Sequence, residues 1–275
     1  MELYDKSLRS IFLLLLSCSM LLCFVGYGVY FVVIWRRRDL RDKYSWMTSL
    51  ALSDVLFTCN IVPVVVSILK GSWIFGKLGG TINAVASLSF GYISIGGAMF
   101  ISLDKLHRAN KKVGNTQTNC IVKSWVVGLI CGVLPYFGLG HFEEATENTF
   151  GCLLDLSKAD LSSVVYIIGT ASFFFIYPVL TMVSSYRELE KIKPSLSNKA
   201  IPLVFIAMYT PFAIHATLAV VTSHVPSEVE LVISHIGPKI LTGLNPLLYI
   251  ASEPEILEEV YDAIFYGKVK TQKAD

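Results

Sequence analysis

Three ionisable residues lie inside long apolar stretches of the 275-residue chain: Asp54, Asp104 and Lys239. Ionisable groups are costly in such surroundings, so each is a functional candidate by default. Removal from water favours the uncharged form of a lysine amine, which is a nucleophile toward aldehydes. Lys239 is therefore a candidate for imine (Schiff-base) formation. The alternative is a lysine that reaches water or pairs with an acid from a loop.

The residues near Lys239 in the sequence indicate which side chains share its helix face. Lys239 precedes Pro246 of the Asn245-Pro246 pair by seven residues, and His235 lies four residues before it. Seven residues are two helical turns, so Lys239 and Pro246 share a face and lie ~10 Å apart along the helix axis. His235 is on the same face, where it relays a proton or lines a pocket. A lysine at mid-span costs about 2.5–3.5 kcal/mol on insertion scales.

The composition predicts the elements that position these residues. The chain is 53% hydrophobic and 16% charged, whereas soluble domains are ~25% charged. The apolar residues form blocks of about 20, long enough for a helix to cross ~30 Å of hydrocarbon. Such spans must be helical to satisfy their own backbone hydrogen bonds. We therefore predict an all-α bundle of seven transmembrane helices in one domain, 1–275, with spans at about 10–35, 44–69, 80–104, 119–138, 162–186, 200–222 and 229–251.

The distribution of the 23 Lys and Arg predicts an orientation. Most of them lie in the connections after the first, third and fifth spans and in the C-terminal tail. The positive-inside rule then places the N-terminus outside the cell or in a lumen and the C-terminus in the cytoplasm. Residues 253–266 mix apolar and acidic side chains at helical spacing, which predicts a short amphipathic helix on the membrane surface. A net charge of +2 indicates no nucleic-acid partner, and the six scattered cysteines show no metal spacing.

Several motifs, in order along nearly the whole chain, resemble those of the rhodopsin-like G-protein-coupled receptor family. They are Ser49-Leu50-Ala51-Leu52-Ser53-Asp54, Asp104-Lys105-Leu106 at the D-R-Y position, Trp125, Pro178, Met208-Tyr209-Thr210-Pro211, and Asn245-Pro246-Leu247-Leu248-Tyr249 as a full N-P-x-x-Y. Within that family, a lysine seven residues before the N-P-x-x-Y proline is the retinal attachment site of opsins. Lys239 stands at that position. Segments 71–76 and 152–160 are most similar to the peropsin, retinochrome and retinal G-protein-coupled-receptor (photoisomerase) branch.

The resemblance implies retinal, 11-cis or all-trans, bound at Lys239 as an imine and isomerised by light. The product is then an isomer for another protein, as in a photoisomerase, or a signal to a heterotrimeric G protein. Lys105 and Leu106 replace the family's Arg and Tyr, and a lysine lacks the planar fork of an arginine. The third cytoplasmic connection is also short, so both features favour a retinal-processing protein over a strong signaller. The alternative is a rhodopsin-like receptor for a diffusible ligand, in which Lys239 binds an anion.

A protonated imine is a buried cation that needs a counterion. Asp54 and Asp104 lie too far toward the cytoplasm for this role, and the third-helix acid of vertebrate visual opsins is replaced by Asn83. Related opsins place a loop Glu six residues before the loop Cys, and a single gap puts Glu147 there. Glu144 is the second choice. Alternatively these glutamates form a solvated acidic face, and an imine without a counterion would absorb in the ultraviolet.

The family also implies partners for the remaining residues. Ser94 and Asn245 are expected to face Asp54, which is either a satisfied structural group or an ion site. Tyr27 replaces the first-helix Asn, so we expect Asp54 to lose one polar neighbour. Tyr209 stands where the family's Trp touches retinal. Aromatic residues that could pack a polyene are Phe90, Tyr92, Phe173, Phe174, Tyr209 and Phe212.

The cysteines give one further expectation. The third-helix Cys of the family is Gly80 here, so Cys152 is expected to be a free thiol. The alternative is a pairing of Cys152 with Cys18 or Cys23.

Overall fold

A computed structural model of the chain describes residues 6–110, 117–142, 154–155, 160–222 and 228–266. These residues form ten α-helices, whose bounds are α1 (Lys6–Arg36), α2 (Arg38–Lys43), α3 (Ser45–Lys70), α4 (Gly76–Ala109), α5 (Gln117–Val133), α6 (Leu161–Ala171), α7 (Tyr177–Ile192), α8 (Leu196–Thr222), α9 (Glu228–Ala251) and α10 (Pro254–Tyr266). A 3-10 turn, Leu134–Phe137, extends α5, and a π-helical turn, Ser172–Ile176, joins α6 to α7 in one continuous rod.

The predicted seven-helix bundle is confirmed by seven long rods, namely α1, α3, α4, α5, α6–α7, α8 and α9. Six of them are long and apolar enough to cross a membrane. The seventh, α9, carries Lys239 and two interior prolines, Pro238 and Pro246, and packs between α1 and α8. Large apolar side chains such as Leu78 and Leu180 remain exposed around the bundle, as expected where a protein faces lipid. The chain is thus an integral membrane protein.

The structure adds one element and lengthens others relative to the sequence prediction. The short helix α2 was not predicted, because five of its six residues are charged and Leu40 alone forms no apolar period. Helix α4 continues to Ala109, beyond the predicted end at 104. An i,i+4 ion pair between Asp104 and Arg108 supports this extra turn. The predicted surface helix at 253–266 is observed as α10, which buries Ile256 and Val260 against the bundle.

The helix ends and turns follow local chemistry. Helix α3 ends at Gly71, whose φ of +86° is the left-handed conformation that only glycine adopts without strain. Asp160 caps α6 by accepting a hydrogen bond from the backbone N–H of Ser163 at 2.9 Å. The π turn at Ser172–Ile176 widens the helix just before Pro178. It turns Phe174 into the bundle, whereas Phe173 is 55% exposed.

Candidate functional site

Lys239 lies on α9 at the edge of a cavity between the helices. Its Nζ donates a hydrogen bond to the backbone carbonyl of His235 at 3.0 Å, one turn earlier. Pro238 immediately precedes it, and both residues line the cavity together with His235. The side chain is partly buried. Lys239 is therefore held inside the bundle rather than directed toward water.

The cavity encloses about 890 Å³ of empty space, counting the part that is open to the surroundings. Its wall is almost entirely apolar and comes from α3, α4, α6–α7, α8 and α9. The aromatic members of the wall are Phe57, Tyr92, Phe174, Phe175, Tyr209 and Phe212. Among the described residues that line the cavity, none is acidic and Lys239 is the one lysine or arginine.

Tyr92 and Phe174 form a stacked pair in this wall, with ring centroids 4.1 Å apart and planes at 20°. The Tyr92 hydroxyl lies 3.0 Å from the Tyr166 hydroxyl, which donates to the backbone carbonyl of Cys131 at 3.0 Å. Because the Tyr166 proton is used by Cys131, Tyr92 is the donor to Tyr166. This chain of hydrogen bonds fixes the Tyr92 ring, and the π turn brings Phe174 against it.

The structure brings together six of the residues predicted for one site. The residues that line the same cavity are Lys239, His235, Tyr92, Phe174, Tyr209 and Phe212, and the rings of Phe212 and His235 meet edge to face at 5.4 Å. Two of the other aromatic candidates do not contribute. Phe173 faces outward, and Phe90 packs in a separate cluster around Leu16 and Phe57.

The counterion candidates Glu147 and Glu144 lie outside the described residues, as does Cys152. Cys18 and Cys23 are both free thiols, so the alternative that either of them pairs with Cys152 is wrong. Leu154 lines the cavity, and the next residue, Asp155, is buried. Asp155 was not among the residues predicted for the site, although it lies only three residues after Cys152 in the sequence.

Asp160, another acid of the same connection, contacts His141 and Ser163. His141 Nε2 lies 2.9 Å from its carboxylate, and the backbone N–H of Ser163 donates to it. The hydrogen bond with His141, followed by that from Ser163, lowers the pKa of Asp160 below its usual range. Asp160 therefore acts as a helix cap here.

Asp54 lies completely buried at the centre of the bundle, where three side chains donate to it. The donors are Tyr27 Oη at 2.8 Å, Ser94 Oγ at 2.6 Å and Asn245 Nδ2 at 2.7 Å. The expected contacts to Ser94 and Asn245 are observed. The expectation that Tyr27 deprives Asp54 of a polar neighbour is wrong, because the phenol reaches from α1 to the carboxylate.

A second polar cluster lies where α4 meets the junction of α9 and α10. We call it the Glu253 cluster, and its members are Asp104, Lys105, Arg108, Ser252 and Glu253. Lys105 Nζ lies 2.5 Å from Ser252 Oγ and 3.2 Å from Glu253 Oε1. Arg108 donates to Glu253 at 3.0 Å and to Asp104 at 2.9 Å. Lys105 therefore turns away from Asp104, its neighbour in the D-R-Y-like motif, and Arg108 pairs with Asp104.

Glu253 is buried yet doubly paired. Burial raises the pKa of its carboxyl, but Lys105 and Arg108 outweigh this effect, and the net pKa is lowered. Tyr249 of the N-P-x-x-Y motif is buried beside this cluster. The Glu253 cluster thus ties the end of α4 to the last turn of α9.

These features coincide with a family match. A family described as "7 transmembrane receptor (rhodopsin family)" matches residues 27–249, and the chain belongs to this family. The overall fold is similar to that of squid rhodopsin in a crystal structure, with a TM-score of 0.74 and 19% identity over 99% of this chain and 90% of that one.

The matched relatives include members of the predicted branch. The chain is similar to the RPE-retinal G protein-coupled receptor of Mus musculus, with 26% identity over 157 residues, 56% of this chain and 54% of that protein. It is similar to the visual pigment-like receptor peropsin of Homo sapiens, with 27% identity over 149 residues, 51% of this chain and 44% of that protein. The chain spans about half the length of these relatives. The predicted resemblance to this branch is confirmed.

Proposed function

We propose that this protein is an opsin that binds retinal covalently, through an imine at Lys239, and that light isomerises the bound retinal. The observation that carries the proposal is the Lys239 amine at the edge of an apolar, aromatic-walled cavity. Retinal is a polyene with a single aldehyde, and the described lining of the cavity offers a matching apolar wall with one amine, that of Lys239. Similarity to a retinal G protein-coupled receptor and to peropsin supports the same assignment.

Retinal supplies the light absorption and the double bond whose geometry changes. The chain supplies the amine, the shape of the cavity and its electrostatics. The fixed Tyr92–Phe174 pair limits the cavity on the side of α4 and α6–α7. Tyr209 and Phe212 close it on the side of α8, and His235 lies one turn from the amine. These apolar and aromatic walls restrict the geometry that an isomerising polyene can adopt.

We further propose Glu147 as the counterion of the protonated imine, with Glu144 as second choice. A buried cation requires a compensating charge, and no acid lines the cavity among the residues that the structure describes. The neighbouring connection carries both glutamates. Its described part enters the site, because Leu154 lines the cavity.

The output that we favour is an isomer of retinal rather than a strong G-protein signal. Coupling in the family uses an arginine at the position of Lys105, and here Lys105 is bound to Ser252 and Glu253. The connection between α7 and α8 is only 193–195, which offers little surface for a heterotrimeric G protein. The positive-inside rule places this face in the cytoplasm and the N-terminus outside or in a lumen.

The test is spectroscopic. The purified protein is incubated with 11-cis or all-trans retinal, and spectra are recorded in the dark, after acid denaturation and after illumination. We expect a retinal-dependent band, an acid-trapped protonated imine, and a light-dependent change in the isomers that are extracted. Lys239→Ala should abolish the band, whereas Lys70→Ala, at an exposed lysine at the end of α3, should leave it unchanged.

Lys239→Arg separates this proposal from a receptor for an anionic diffusible ligand. Arginine keeps the positive charge but forms no imine with an aldehyde. An opsin loses its pigment in this variant, whereas an anion receptor keeps its ligand. A retinal band that survives in Lys239→Ala, or no band in the wild type with either isomer, would reject the opsin assignment.

A further inference from the structure

Helix α9 lacks one of its own backbone hydrogen bonds on each side of Lys239. Pro238 and Pro246 have no N–H, so neither can donate to the carbonyl four residues before it. Lys239 follows the first proline directly. The backbone from which the Lys239 side chain departs is therefore held less firmly by its own helix than in an uninterrupted helix.

Two neighbouring helices approach α9 very closely on the two sides of Lys239. A Cβ at Gly237 would lie 2.2 Å from the backbone carbonyl oxygen of Met208 on α8. A Cβ at Gly243 would lie 2.6 Å from both the carbonyl oxygen and the Oγ of Ser19 on α1. Backbone-to-backbone contact of this kind leaves no space for intervening side chains. The stretch that bears Lys239 is thus held tightly between α1 and α8.

Side-chain hydroxyls converge on the Lys239 carbonyl between these two contacts. Ser19 Oγ donates to it at 2.6 Å, and Thr242 Oγ1 donates to it at 2.8 Å. Thr58 on α3 lies behind them, 3.3 Å from the Thr242 hydroxyl. All three hydroxyl residues are buried, at 4% exposure or less. Serine in a membrane helix usually satisfies its hydroxyl on its own helix, so donation from Ser19 to α9 marks a specific interhelical contact.

We propose that Ser19 is a positioning residue for Lys239. Its hydroxyl, with that of Thr242, fixes the backbone at Lys239 and so fixes the point from which the amine enters the cavity. The inference rests on the proposed function for its relevance to retinal, but the hold on the backbone exists without retinal. A small displacement at this origin is carried through the long lysine side chain to the reacting nitrogen.

The experiment compares Ser19→Ala with Ser19→Thr, which keeps the hydroxyl, and with Ser17→Ala, at an exposed serine on the same helix. The first measurement is amide hydrogen exchange of residues 239–245 in the retinal-free protein. Loss of one buried hydrogen bond should raise exchange there about fivefold in Ser19→Ala. Ser19→Thr and Ser17→Ala should exchange like the wild type. The same comparison with Thr242→Val removes the second donor and should act in the same direction.

The second measurement is the loading of retinal. In Ser19→Ala we expect imine formation slowed about fivefold and a shifted absorption maximum, both restored in Ser19→Thr. Exchange in Ser19→Ala equal to that in Ser17→Ala would overturn the inference. So would faster exchange with unchanged loading and absorption. If the wild type forms no retinal band, the proposed function fails, and the exchange data alone still decide whether Ser19 holds α9.

Discussion

The Tyr27 hydroxyl donates to Asp54 at 2.8 Å across the contact between α1 and α3. Because Ser94 and Asn245 donate to the same carboxylate, four helices meet at one buried acid: α1, α3, α4 and α9. A carboxylate with three donors is far less costly to bury than an unpaired one. Tyr27 thereby replaces the asparagine of the family with a longer side chain that reaches the same acceptor.

The first prediction concerns this contact. Tyr27→Phe should lower the free energy of unfolding by about 1–3 kcal/mol, because a buried carboxylate loses one donor. Tyr30→Phe is the matched control, since the Tyr30 hydroxyl pairs with the neutral Thr48 hydroxyl at 2.8 Å. Its loss should cost only about 0.5–1.5 kcal/mol. Thermal or denaturant unfolding in detergent micelles measures both losses. Equal losses would contradict the prediction, because the hydrogen bond to Asp54 would then be worth no more than one between two neutral hydroxyls.

The second prediction concerns Glu253. Glu253→Gln leaves Lys105 without its buried anionic partner, and removing one partner of a buried pair typically costs about 3–5 kcal/mol. Glu255→Gln is the control, because the Lys43–Glu255 pair is exposed, with side-chain accessibilities of 41% and 53%. That loss should be about 0–1 kcal/mol. A Glu253→Gln protein as stable as the control would contradict the structural role of the Glu253 cluster.

The pH dependence of stability follows from the lowered pKa of Glu253. A carboxyl whose folded pKa lies below its unfolded value contributes stability above the unfolded pKa, about 4.3 for Glu. That contribution is lost as the pH falls through the folded pKa. The difference in melting temperature between wild type and Glu253→Gln should therefore shrink below about pH 4. A difference that stays constant from about pH 7 to pH 3 would argue against this carboxylate.

The fourth prediction tests the counterion. Glu147→Gln should move the dark absorption of the retinal-loaded protein into the ultraviolet at neutral pH, because an imine without a counterion loses its proton. Glu144→Gln and Asp155→Asn test two further acids of the connection, with Asp155 included because it is buried next to Leu154. A visible, unshifted band in Glu147→Gln rejects Glu147, and an ultraviolet shift in one of the other variants identifies the acid in its place.

The fifth prediction concerns the contact between α8 and α9. Gly237→Ala places a Cβ against the backbone of Met208 and must push the helices apart. We expect a loss of about 1–3 kcal/mol. At Gly169 in α6, by contrast, an added Cβ meets nothing within 4 Å, so Gly169→Ala should gain about 0.5–1 kcal/mol through helix propensity. The two melting temperatures should move in opposite directions.

The features that depend on local pattern could be predicted from the sequence. Apolar length predicts the helices, and the seven-residue spacing from Pro246 identifies Lys239. His235 at the cavity wall follows from its spacing of one helical turn before Lys239, because helical periodicity decides which side chains share a face. Tyr209 was expected there from the resemblance to the family, and Phe212 as one of several aromatic candidates; both line the cavity.

Other contacts depend on packing between distant segments. Ser19 is one serine in an apolar helix, and its acceptor lies 220 residues away. Nothing local distinguishes it from Ser17. In the sequence, Tyr27 in place of the family's Asn indicates the loss of a polar group. Only the distance between α1 and α3 shows that its hydroxyl reaches Asp54. Glu253 follows a helix end, and its pairing with Lys105 requires the position of α4. A periodic pattern within one helix does not predict the distances between residues on different helices.

The close contacts of α9 are spread along its length. Gly237 meets α8 and Gly243 meets α1, and a Cβ at Gly26 of α1 would lie 2.6 Å from the Pro246 side chain. Asn245, next to that proline, donates to Asp54. The stretch that bears Lys239 therefore cannot slide along α1 alone, and any rigid shift of it is shared with Asn245 and its hydrogen bond to Asp54.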